Sequence, residues 1–299
     1  MSLLSAPASG RAETLIGLNT RNQLFQFNSA TPGTIMNLVS VTGLGAGESL
    51  LGIDFRPSTN LSVNGLLYGL TVDSSRTGRL YTIDTATGSA TLRSTLAAAP
   101  PALDPTPDYN GLNGMNFGID FNPVPDRLRV VSDAEENLRI NVANGATITD
   151  AKLNPGGDAL SVAAAGYTSN FGGARTTQLL VIDYNTDQLF LQDPPNNGTL
   201  RLRGSLGVDV GPELDLDVSG QTGIAYLGAG DSFYTLNLGT GAASLVGAFD
   251  SSLGPIRGIA APVGAAVPEP GSVALLAGIA AFGVALRRRA SGKTNHPLR

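Results

Sequence analysis

The chain has 299 residues, 42% of them hydrophobic, and its 38 glycines and 18 prolines suit a large core cut by many turns. Its formal net charge is −5, it has no cysteine, and its single histidine is His296 near the C-terminus. Disulfides, thiolate nucleophiles, Cys- or His-ligated zinc and a Ser-His-Asp triad are thereby excluded from the rest of the chain. No basic face of the kind nucleic acid requires is visible.

Residues 1–13 lack the basic start and apolar core of a secretory leader. They read as a leader remnant or a disordered stretch, with the true start expected upstream. From residue 14 a repeated unit of four short strand-like segments sets in. First segments are Leu51–Pro57 and Phe117–Pro123, with looser copies at Ala164–Tyr167, Asp215–Val218 and Gly258–Ala261. Second segments are Leu15–Asn19, Leu66–Leu70, Leu128–Ser132, Leu179–Asp183 and Ile224–Gly228. Third segments are Leu24–Asn28, Leu80–Asp84, Leu138–Val142, Leu189–Gln192 and Phe233–Leu238. Fourth segments are Met36–Thr42, Ala90–Leu96, Ile148–Leu153, Thr199–Leu206 and Ala243–Ala248. Three joins between third and fourth segments end on Gly88, Gly145 and Gly241, which predicts tight hairpins.

The ends decide the architecture. The N-terminal unit lacks a first segment, and the last first segment, Gly258–Ala261, has no successors. Together they complete a fifth unit, as in a ring rather than an open solenoid. The expectation is an all-β, five-bladed β-propeller over 14–262, closed by strands from both chain ends. The insertion Ala97–Asn116 predicts a long loop; six or seven blades would follow if it hid strands.

Beyond Pro262 the composition changes. Residues 263–272 read as a linker containing Pro268-Glu269-Pro270, 273–289 as an apolar helix ending in Arg287, Arg288 and Arg289, and 290–299 as a disordered tail. The apolar run 273–286 falls short of the roughly 20 residues of a spanning helix. The arginines would hold its far end on the cytoplasmic side. Residues 268–299 carry +4, which leaves a distinctly acidic −9 on the remainder. On physical grounds this is a marginal membrane anchor or a processed sorting tail.

The recurring first segment supplies the strongest site candidates. Asp54, Asp120 and Asp217 occupy equivalent positions, with Gly166 and Ala260 in the other two units. In a propeller these positions face the central channel. Three carboxylates there suit a hard cation such as Ca2+, or a glycosidase-type carboxylate pair. Each Asp capping a turn or holding a neighbouring backbone amide would account for the recurrence equally well. Asp104, Asp108, Asn110 and Asn113 cluster in the long loop without calcium-loop spacing, and Asp133–Glu136 reads as a solvated turn. Gly43–Gly47 leads into a strand and not a helix, so it is no phosphate loop. The sequons at Asn60 and Asn197 are weak signals. No tryptophan is present to stack on sugars.

Val267-Pro-Glu-Pro270, an apolar run and an arginine cluster strongly resemble the PEP-CTERM sorting signal of Gram-negative bacteria. That resemblance implies export, transient membrane insertion through 273–286, recognition by an exosortase (a membrane protease), removal of the tail, and association with the cell surface or extracellular polysaccharide. Gly-Ile-Asp-Phe-x-Pro at 52–57 and 118–123, with Asp-Arg-Leu-Arg-Val-Val at 126–131, resembles an uncharacterised family of bacterial secreted domains of unknown function. The functional expectation is an exported, non-enzymatic binding or structural propeller. The alternative is a secreted carbohydrate-active enzyme using the channel aspartates.

Overall fold

The structure, a computed structural model, describes residues 12–101, 103, 109–154 and 160–265. Five antiparallel sheets stand around a central axis. Blade 1 runs Ser49–Phe55, Leu67–Val72, Gly78–Ile83, Ala90–Thr95, and blade 2 runs Phe117–Asn122, Arg127–Ser132, Asn137–Ile140, Ala146–Thr149. Blade 3 runs Val162–Tyr167, Leu179–Asp183, Gln188–Gln192, Leu200–Ser205, and blade 4 runs Leu214–Val218, Ala225–Ala229, Ser232–Leu236, Ala243–Ala248. Blade 5 takes its inner strand, Ile256–Ala260, from one end of the chain and Thr14–Asn19, Gln23–Asn28 and Thr31–Ser40 from the other. This is the expected five-bladed propeller. The predicted tail helix at 273–289 lies outside the described residues, as do residues 1–11 of the stretch 1–13 read as a leader remnant or disordered.

Ring closure is a ladder. Ile16 pairs with Ala260, Gly17 with Ile259 and Leu18 with Gly258, antiparallel. The five inner strands then abut in sequence round the axis, the last against the first. Small residues permit this approach. A Cβ on Gly118 would lie 2.4 Å from the Ala164 carbonyl carbon, and one on Gly52 would lie 3.0 Å from Ile119.

Each blade interface has its own core. Blades 1 and 2 share Leu51, Leu70, Ile119, Phe121 and Val130, and blades 5 and 1 share Leu18, Leu24, Leu50, Ile53 and Leu67. Between blades 4 and 5, Phe25, Phe27, Phe233 and Phe249 pack with ring centroids 5.1–5.6 Å apart. Such sheets read as alternating strands because one face meets each neighbour. The outermost strands are more exposed, as at Leu92, Leu202 and Leu245.

The predicted hairpins form as the turn chemistry requires. The amides of Gly88, Gly145 and Gly241 each donate at 2.8 Å to the carbonyl four residues earlier. Gly145 sits at φ 76°, and a Cβ there would meet the Thr95 carbonyl oxygen, so the turn also docks onto blade 1. The insertion differs from a pure loop in one respect. Ala97–Ala98 pairs parallel with Ala146–Thr147, adding a short outer strand to blade 2 and no further blade among the described residues. The Ala97 and Ala99 amides bond the Gly145 and Thr147 carbonyls, which the exposed edge of that blade leaves free.

Two ties complete the ring. Buried Glu13 accepts hydrogen bonds from the hydroxyls of Ser219 (2.7 Å), Thr222 (2.8 Å) and Tyr226 (2.9 Å), fastening blade 5 to blade 4. At the channel mouth where the inner strands end, residues 262–264 cross between blades. The Gly220 amide donates to Pro262, the Gly264 amide donates to Asn170, and Val263 lies beside Gly65. Glu13→Ala would strand three hydroxyls, two of them in buried contacts, and is expected to cost about 2–4 kcal/mol in urea unfolding. A loss below about 0.5 kcal/mol, the range of ordinary surface substitutions, would show that the clasp does not fasten the ring.

Candidate functional site

The inner strands bring Asp54, Asp120 and Asp217 together on the axis. One carboxylate oxygen from each lies within 4.8 Å of the others. All are at most 2% exposed. A fourth acid, Asp215, joins them from two residues before Asp217, on the same strand face. Gly166 and Ala260 hold the equivalent positions in blades 3 and 5 and contribute no polar side chain.

Each aspartate reaches toward the next blade. Asp54 Oδ2 accepts from the Phe121 amide at 2.7 Å, Asp217 Oδ2 from Ala261 at 2.6 Å, and Asp215 Oδ2 from Ile259 at 3.0 Å. Asp215 and Asp217 also take the amides of Leu216 and Val218 through their other oxygens. In blade 2 the Tyr167 amide faces Asp120 short of hydrogen-bond geometry, and still favours its charged form. Both Asp120 oxygens and Asp54 Oδ1 are left buried without a hydrogen bond.

Burial pushes all four carboxyls upward. For Asp54 the charge of Asp217 adds to this, and for Asp120 the charges of Asp54 and Asp217. Two backbone hydrogen bonds work against burial at Asp217, which is pushed up to about 7. No basic side chain figures among the dominant influences on these four groups. Arg129 is the cross-strand neighbour of Asp120 but is engaged by Asp150, Asn137 and Asn196, and a buried acidic cluster so weakly countered favours taking up protons or a cation.

The second polar constellation lies in blade 2, at the face where the inner strands begin. A cleft of about 370 Å³ is lined by Arg76, Tyr109, Asn113, Glu136, Asp150 and Lys152, among others. Beneath it, Arg129 is 1% exposed and donates to Asp150 (2.6 Å), Asn137 (2.7 Å) and Asn196 of blade 3 (2.8 Å). Arg139 grips the same Asp150 through two nitrogens at 2.6 and 2.8 Å. Arg56 does likewise for Asp126 across blades 1 and 2, at 2.8 and 2.7 Å. The Arg56–Asp126 pair joins Gly-Ile-Asp-Phe-x-Pro at 52–57 to Asp-Arg-Leu-Arg-Val-Val at 126–131.

The reading of Asp133–Glu136 as a solvated turn needs correction. Asp133 accepts from the amides of Met115 and Asn116 and from the Asn116 side chain, and Glu136 accepts from the Asn113 amide. The turn pins the descending end of the long loop, because that loop's amides have no strand partner. Asn110 and Asn113 line the cleft, whereas Asp104 and Asp108 lie outside the described residues. Sequence reasoning missed Asp215, Glu13, Arg129 and Glu136. Asp215 could have been found from its i, i+2 spacing to Asp217.

A model of the domain of unknown function DUF4394 matches residues 23–260. The chain belongs to that family. A PEP-CTERM protein-sorting motif matches residues 266–289 of this DUF4394 protein. That span includes Pro268, Glu269, Pro270 and Arg287–Arg289, all outside the described residues. The motif marks the DUF4394 chain as exported, recognised by exosortase, a membrane enzyme, held at the membrane before processing and surface-associated afterwards. Among the described residues no helix is long and apolar enough to cross a membrane. A comparison with curated proteins finds no match.

Glu136 gives the cleft a pH signature. Burial outweighs its bond to the Asn113 amide and the nearby Arg76, and pushes its carboxyl up to about 7. The folded state therefore binds this proton more tightly than the unfolded one. Its contribution to stability is fully present below the ordinary value of 4.5 and is lost as pH rises through about 7. Glu136→Gln is expected to gain stability relative to the parent chain between pH 5 and pH 8 in thermal melts. A difference that stays flat with pH would place Glu136 in solvent.

Proposed function

We propose that this DUF4394 domain is a non-enzymatic binding or structural module of the cell surface or extracellular matrix. Its partner on this reading is extracellular polysaccharide. The observation that carries the reading is a sorting motif at 266–289 directly behind a closed propeller. A fold with its inner strands sealed and its ends fastened suits a stable exported scaffold.

The blade 2 cleft supports the binding half. Its volume falls in the range of small-molecule sites, and Arg76, Asn110, Asn113, Glu136 and Lys152 suit sugar hydroxyls beside the ring of Tyr109, which is itself packed partly into the core. The channel aspartates lend no support to the carbohydrate-active alternative. A glycosidase pair needs an open cleft with its carboxyls about 5–10 Å apart and room for water. Here the oxygens lie within 4.8 Å and are buried.

Export is tested with two tags, one beside exposed Leu61 and one at the C-terminus. In an exosortase-bearing host the internal tag is expected outside the cell and the terminal tag is expected to be lost. In a strain lacking the enzyme both should stay with the membrane. A terminal tag that travels with the exported domain overturns processing. For the partner, the full chain is expected to bind extracellular polysaccharide purified from such a host, and Tyr109→Ala to weaken binding about tenfold. Equal binding by both proteins would remove the cleft from this role.

A further inference from the structure

We infer that the channel is a cation site, in which Asp54, Asp120 and Asp217 hold one Ca2+ that ties blades 1, 2 and 4 together. The donor set is all hard oxygen from three carboxylates, the chemistry that calcium prefers. Calcium takes its ligands at about 2.3–2.6 Å, so oxygens on opposite sides of one ion stand about 4.6–5.2 Å apart. Only one pair of ligands can stand that far apart, and three spread evenly stand at about 4.0–4.5 Å. With all three oxygens inside 4.8 Å of one another, one ion can reach them with at most a few tenths of an ångström of adjustment.

A second observation points the same way. Three oxygens of this cluster, Asp54 Oδ1 and both of Asp120, are buried without a well-formed hydrogen bond, the Phe55 and Tyr167 amides acting on these two acids short of that geometry. Elsewhere the axis is well satisfied, since backbone amides hold both oxygens of Asp217 and of Asp215. The unsatisfied oxygens therefore belong to the acids of the adjacent blades 1 and 2. The amides on Asp54 and Asp217 fix those carboxylates as outer partners fix metal ligands, and each bonded oxygen keeps a lone pair for a cation. Asp215 lends its charge from the same strand. Gly166 and Ala260, which flank Asp217 in the ring, leave out the side chains that would otherwise crowd the axis.

The competing arrangement is a set of carboxyls sharing protons, and the experiment separates the two. Because the acids are sealed, the full chain is unfolded in denaturant with EDTA. It is then refolded in EDTA, CaCl2 or MgCl2 and freed of loose ions. Elemental analysis is expected to find about one calcium per chain. The Tm is expected to rise by about 5–10 °C at a hundredfold excess of calcium over Kd. Asp120→Asn should retain no calcium and show no calcium shift, while melting in EDTA no lower than the parent. A purely structural Asp120 would instead lower the melt with and without calcium. Asp54→Asn is read in the same way if Asp120→Asn does not fold. Asp73→Asn, at a partly exposed surface carboxylate, should keep the full shift. Metal-free protein whose Tm ignores both salts would overturn the site in favour of shared protons. Preferential retention of magnesium would overturn the calcium assignment.

Discussion

The ladder between Thr14–Asn19 and Ile256–Ala260 is the interaction on which the rest depends. Without it, blade 5 has no inner strand, Ile53 and Leu50 lose the partners that cover them, and the channel stands open on one side. A closed ring removes two edges at once and lets every blade bury both of its faces. It also fixes the distance between inner strands, because five sheets must share one axis. That distance is short, which is why glycine or alanine precedes the aspartate position by two in four of the five blades. Asp215 is the exception, and it takes its place by bonding to the amide of Ile259 instead of packing against it.

Two devices hold neighbouring blades in register beyond their apolar cores. Near the axis, carboxylates of blades 1 and 4 capture backbone amides of the following blade. Farther out, Arg56 with Asp126 and Arg129 with Asn196 bridge blades 1 to 2 and 2 to 3. Arg129 is fully buried, so removing one of its partners would leave a charge poorly paired, whereas the partly exposed Arg56–Asp126 pair is screened by solvent and contributes less.

The architecture was legible because two local signals agree with the global fold. Alternating strands and glycine-terminated turns recur, and the missing first segment at one end matches the surplus one at the other. The aspartates were legible for the same reason, as the one acidic position common to three first segments. What stayed hidden depends on partners distant in sequence. Glu13 looks like a polar residue before a strand, but its partners are more than 200 residues away. Arg129 alternates as an outward residue would, and is buried because Asp150, Asn137 and Asn196 surround it. Asp133 and Glu136 look like turn residues until the loop they restrain is placed beside them.

The crossing of residues 262–264 over the channel mouth sets how the domain is presented. The described chain ends at Ala265 on the face where the inner strands finish, near the axis. The blade 2 cleft opens on the other face, beside the turn that precedes Phe117. The tether and the cleft are thus at opposite poles of the ring. A chain leaving Ala265 toward the sorting motif departs from the face away from the cleft.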